Sequence, residues 1–194
     1  TFVAGGTYKT HYQHLIFDSY GRVLDYGIDV YNAADSSFNT ETRFLSNQGY
    51  MAKHPYKNKF AYSVNFSSNL DFFEVVNNKI ELKRSLRLGN PACESLVENG
   101  GQLFSARPTK ESIHGFIEVC ATPKYLYALY SDGKIYEVQR KSKTVFVFDW
   151  DGNPIKELLL DTDVFHIAVN EKEQNLFAVV KNEDGGFNVI CYVL

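Results

Sequence analysis

The sequence predicts an all-β chain made of β-propeller blades, and three observations carry that expectation. Aromatic residues form 15% of the chain, with 15 Phe and 13 Tyr against one Met and one Trp. Such side chains suit the pleated, half-buried surface of a strand. Apolar residues fall in short runs bounded by turn residues, with almost no helical periodicity. Finally, segments echo one another at spacings that match a blade of about 40–50 residues.

The runs come in order. His14-Leu15-Ile16-Phe17 is first, then Phe60-Ala61-Tyr62-Ser63-Val64 and Leu70 to Val76. Tyr125 to Tyr130, Val145 to Phe148, Ile155 to Leu160, Phe165 to Val169, Leu176 to Val180 and Phe187 to Leu194 follow. Ser131-Asp132-Gly133, Asp151-Gly152-Asn153-Pro154 and Asp184-Gly185-Gly186 read as the turns between them. Asp-Gly between apolar runs marks a hairpin because Gly reaches positive φ at low cost.

Two echoes set the period. Asn175-Leu176-Phe177-Ala178-Val179 repeats Tyr125-Leu126-Tyr127-Ala128-Leu129 at positions 125 and 175, each after an apolar run and a polar turn. Phe60-Ala61-Tyr62 is a looser third copy. Phe148-Asp149-Trp150-Asp151-Gly152 repeats Phe17-Asp18-Ser19-Tyr20-Gly21 at about three blade lengths.

Lettering each blade's strands A to D from the axis outward gives a parse. The first blade is partial, with C near Gln13–Phe17 and D near Val23–Ile28. The second has A near Tyr50–His54, B near Phe60–Asn65, C near Leu70–Val76 and D near Ile80–Leu88. The third has A near Phe116–Ala121, B at Tyr125–Tyr130, C at Val145–Phe148 and D at Ile155–Leu160, with 134–143 as an elaboration between B and C. The fourth has A at Phe165–Val169, B at Leu176–Val180 and C at Phe187–Leu194, without a D strand. Residues 1–194 thus read as a single propeller domain that lacks its N-terminal blades. The start at Thr1, with no initiator Met and no signal peptide, suggests a processed or truncated product.

Composition narrows the function. The net charge of −3 is mild, and the one basic cluster, Arg140-Lys141-Ser142-Lys143, reads as a solvated loop, so nucleic acid is not an expected partner. Cys93, Cys120 and Cys191 are too scattered for a disulfide framework or a zinc site, and Cys120 and Cys191 read as buried thiols. No run is long enough for a transmembrane segment. No G-x-S-x-G elbow and no Gly-rich phosphate loop occurs, so neither a catalytic residue nor a cofactor is assigned. His11 and His14 should point to opposite faces of a strand. Asp149 and Asp151 could reach one cation, but a turn-forming Asp beside Gly152 explains them more simply. Trp150, at a hairpin tip, either stands exposed or caps a neighbouring blade.

The stretch Val145-Phe146-Val147-Phe148-Asp149-Trp150-Asp151-Gly152-Asn153-Pro154-Ile155-Lys156, with Leu160-Asp161 and Ile167-Ala168-Val169, resembles the TolB-like six-bladed propeller family of Bacteroidetes. Asn47-Gln48-Gly49-Tyr50 through His54-Pro55 and Phe60-Ala61 is similar to that family's middle blades. The resemblance implies a six-bladed propeller when complete, of which this chain covers roughly the last three to four blades. It also implies an exported protein, periplasmic or at the cell surface, often with a lipid anchor on the missing N-terminus. It supplies no catalytic residues.

In a propeller the B–C turns and the D–A links emerge on one face, the A–B and C–D turns on the other. Long connections, 33–49, 89–115 and the 134–143 insertion, gather on the first, and loops on a rigid scaffold are where binding residues concentrate. Arg107, Lys110, His114, Glu118 and His166 are the candidate ligand or partner residues near its axial mouth, although His166, ahead of an apolar run, also reads as a hydrogen-bonded structural histidine. The leading expectation is a non-enzymatic binding or scaffold module for a protein, peptide or glycan. The alternative is a metal-dependent hydrolase or lactonase-like enzyme with a site in the axial channel, for which Glu118 and Asp163 are the acidic residues near the mouth.

Overall fold

The computed structural model describes residues 1–6, 11–29, 40–89, 91–97 and 103–194. Among the described residues there are sixteen strands and one short helix. Strands β1 (Phe2–Gly5), β2 (Tyr12–Phe17) and β3 (Val23–Asp29) form the first sheet, in that order. Helix α1 (Thr40–Ser46) leads into β4 (Gly49–Lys53), β5 (Lys59–Val64), β6 (Asn69–Val76) and β7 (Lys79–Arg87), an antiparallel meander. A two-stranded hairpin, β8 (Cys93–Val97) and β9 (Leu103–Pro108), precedes the third blade. That blade is β10 (Ile113–Ala121), β11 (Tyr125–Lys134), β12 (Ser142–Asp149) and β13 (Pro154–Val164). The last sheet holds β14 (His166–Val169), β15 (Asn175–Lys181) and β16 (Phe187–Val193). Sequential strands pair with their neighbours throughout, which is the connectivity of propeller blades.

The core shows why these runs are nearly all apolar. A blade inside a propeller is packed on both faces, so the period-2 alternation serves two interfaces rather than one core and one solvent face. On β11, Leu126 and Ala128 belong to a cluster with Ala52, Ala61, Leu70, Phe72 and Phe148, between the second and third blades. Tyr127 and Leu129, pointing the other way, join Ile117, Val145, Val147, Ile167 and Leu176 between the third and fourth. On β5, Phe60, Tyr62 and Val64 turn with Phe73 towards the first blade, where Val3 and Ile28 meet them.

The outward faces of the end sheets lie open. Phe177, Phe187, Val189 and Val193 of β15 and β16 are exposed on one side, and Phe2, Val23 and Leu24 of the first sheet at the other. Cys191 shares the odd-numbered face of β16 and is exposed, which corrects the expectation of a buried thiol there. Cys120 is half-buried, and its thiol lies close to the Val169 N–H at 3.3 Å.

The echoes survive as geometry. Asp18 and Asp149 open the same C–D turn, with Gly21 and Gly152 at φ of 78° and 80°. In each turn the leading carboxylate accepts two backbone N–H groups, Tyr20 and Arg22 at 2.9 and 3.0 Å, and Asp151 and Asn153 at 2.9 and 2.8 Å. Asp149 and Asp151 are therefore turn and surface groups: Asp151 meets Lys59 at 2.6 Å. Trp150 is buried, and its indole N–H donates to the Thr122 carbonyl at 3.0 Å while the ring packs 5.0 Å from His54. It caps the second blade.

Four features were not anticipated. Strand β1 supplies the first blade with a B strand inside its C and D strands. Helix α1 and the β8–β9 hairpin occupy parts of the D–A links, and they contact each other. Ser131-Asp132-Gly133 does not turn: β11 runs through it, pairing Ser131 with Gly115 and Lys134 with Ile113 across a bulge. The turn comes at 135–138. Residues 33–39 of the first long link, and residues 90 and 98–102 of the second, lie outside the described residues.

Candidate functional site

The best-organised part of the long-loop face is the connection between β11 and β12. The extended β10–β11 hairpin lifts it clear of the sheet, and a row of contacts then fastens it on both sides. Lys134 meets Glu111 at 2.8 Å, and the Ile135 N–H donates to the Ser112 carbonyl at 3.0 Å. The Tyr136 hydroxyl donates to the Pro108 carbonyl at 3.0 Å, tying the loop to the end of β9. His114 Nε2 donates to the Val138 carbonyl at 2.9 Å. Arg140 Nη2 donates to the Ile117 carbonyl at 2.7 Å, and its guanidinium lies over the Tyr50 ring, 5.5 Å from the centroid. Lys141 closes the series on Asp163 at 3.3 Å. The loop so crosses from the β8–β9 hairpin to the innermost strands of the second and third blades, since Tyr50 is on β4 and Ile117 on β10.

The five sequence-predicted residues fall in three places along this arc. Arg107 and Lys110 line an open groove of about 830 Å³ with Glu94, Thr109, Tyr136 and Glu137. Arg107 is held there by the Glu94 carboxylate across the hairpin. His114 is 7% exposed and spends its proton on the loop, so it positions the surface from beneath. Glu118 and His166 meet on the inner strands β10 and β14, His166 Nδ1 lying 3.4 Å from Glu118 Oε1. Glu118 Oε2 also accepts the Ile167 N–H at 2.7 Å, stitching the third blade to the fourth. His166 does have a side-chain partner, but its side chain is 63% exposed, unlike a packed structural histidine.

Among the described residues no group of three or more His, Cys, Asp or Glu side chains could hold a metal ion. Asp163, the other acidic residue that the sequence set near the mouth, pairs with Lys141. His11 and His14 separate as expected: His11 is exposed and meets Asp29 at 3.3 Å, while His14 is fully buried.

Tyr50, Tyr136 and Arg140 are the residues that sequence reasoning passed over. Arg140 stood in a basic run that looks solvated. Its partners are 23 and 90 residues away, so nothing local signals them.

No helix of the described residues is long and apolar enough to cross a membrane. A search of curated proteins finds no match to the chain. The meander sheets, the doubly packed blade faces and the repeated C–D turns agree with a match over residues 1–172 to the TolB-like 6-blade propeller-like family, and the chain belongs to that family.

Proposed function

We propose that the chain is a non-catalytic binding or scaffold module that presents its long-loop face to a protein, peptide or glycan. The observation that carries this reading is the multiply anchored 134–142 loop. An exposed connection with six separate tethers is held in one shape before any partner arrives, which lowers the ordering cost of association. The opposite face differs, because its turns are short and their polar groups are consumed in the turns themselves. The family's usual setting supports placing the protein outside the cytoplasm, in the periplasm or at the cell surface.

The same reading extends to the ring. The exposed apolar faces of the first and last sheets are those against which further blades would pack, so we take the 194 residues as the later blades of a six-bladed propeller. The metal-dependent hydrolase reading has no supporting cluster among the described residues.

Selection from a random dodecapeptide phage library and from a glycan array tests the module. Ligands recovered with the chain should lose binding when residues 135–140 are replaced by a Gly-Ser loop, and keep it when Lys59 and Asp151 on the opposite face become alanine. Ligands indifferent to the loop replacement would contradict the assignment.

A further inference from the structure

The charged groups of the long-loop face are largely matched with one another. Arg107 meets Glu94, Lys134 meets Glu111, Lys141 meets Asp163 and His166 meets Glu118. Arg140 is different. Its guanidinium is fixed by a backbone carbonyl at 2.7 Å, by the Tyr50 hydroxyl at 3.3 Å and by the Tyr50 ring, all of them neutral, and it meets no carboxylate among the described residues.

A guanidinium carries five N–H donors in a planar fork that matches a carboxylate, and neutral contacts leave its charge uncompensated. Stacking on Tyr50 removes much of the rotamer freedom that a free arginine would lose on binding.

The neighbours of Arg140 say what kind of carboxylate it would meet. Tyr136 and Val138, four and two residues before it on the same loop, are 62% and 49% exposed. Tyr and Arg are enriched at protein-contact hot spots, whereas charged residues other than Arg are depleted there. The loop is also rigid: His114, a buried group, is committed to the Val138 carbonyl, and Tyr136 is held at its hydroxyl with its ring exposed.

We propose that residues Tyr136, Val138 and Arg140 form a docking site for an extended acidic peptide segment, in which Arg140 takes an Asp or Glu carboxylate while Tyr136 and Val138 contact the flanking apolar side chains. This rests on the binding-module reading above and names the partner's chemistry.

The test uses the 194-residue chain and dodecapeptides selected against it. Peptides enriched in Asp and Glu are expected. Their affinity should fall at least ten-fold for Arg140→Gln, less for Arg140→Lys, and should also fall at least ten-fold when the peptide carboxylates are methyl-esterified. Esterification leaves the protein untouched, so it decides the matter even if Arg140→Gln folds poorly. Peptides that need the 135–140 loop yet tolerate both Arg140→Gln and esterification would overturn the carboxylate assignment while leaving the binding face intact. Selective binding of acidic oligosaccharides in place of peptides would overturn the peptide assignment. Ligands unaffected by replacing the loop would remove both readings.

Discussion

His14 is the residue whose environment is hardest to reconcile with charge. It is fully buried between the first and second blades, 5.0 Å from the Phe73 ring and 4.6 Å from Tyr62, and neither ring nitrogen has a hydrogen-bond partner among the described residues. Burial, with the Arg87 cation as a second cause, lowers its pKa to about 3. The Asp71 carboxylate pairs with that Arg87 cation and accepts the Ser85 hydroxyl. A histidine with a depressed folded pKa contributes stability that is full above about pH 6.5 and is lost as pH falls towards 3. Each pH unit within that window should cost up to about 1.4 kcal/mol. Urea unfolding between pH 7.5 and 4.5 should show this slope, and His14→Phe should flatten it; an unchanged slope would assign the acid sensitivity elsewhere.

At the scale of elements, the two C–D turns offer a matched pair. Gly21 and Gly152 share a left-handed conformation, but space around them differs. A Cβ on Gly21 meets nothing, so Gly21→Ala should cost about 1 kcal/mol from the backbone alone. A Cβ on Gly152 would lie 2.8 Å from the Phe72 ring and 2.9 Å from Arg84, so Gly152→Ala should cost roughly 2–4 kcal/mol. Denaturant midpoints of the two variants check the order, and equal midpoints would count against close packing of this turn on the second blade.

Short apolar runs bounded by turn residues were legible in the sequence, which is why β4–β7 and β12–β16 fall close to where the runs predict. Helix α1 escaped because seven residues are too few for a period, although Phe44 is buried. The β8–β9 hairpin has a turn signal in its sequence, Asn99-Gly100-Gly101, which escaped because the flanking strands hold few apolar residues. Ser131-Asp132-Gly133 offers a false signal, its glycine staying in the strand because β10 continues opposite it. The candidate face was legible as a place, through its long connections. Its organising residues were not, because the contacts of Arg140 and Tyr136 are tertiary and leave no local pattern.

At the scale of the whole molecule, the described residues hold two four-stranded blades flanked by two three-stranded sheets whose outer faces carry exposed apolar side chains. Exposed patches of Phe187, Val189, Val193 and Phe177 are an association hazard when nothing covers them. The 194 residues on their own should therefore self-associate at high concentration. Val189→Glu with Phe187→Glu should shift sedimentation velocity profiles towards the monomer; profiles that do not respond would place self-association elsewhere.

The face assignment is tested most directly by a hydrogen-exchange footprint of the chain with a peptide selected against it. Protection should fall on 134–142, on 107–110 and on the inner strand around Tyr50. Protection confined to the opposite face, around Tyr20, Tyr56 and Asp151, would contradict it.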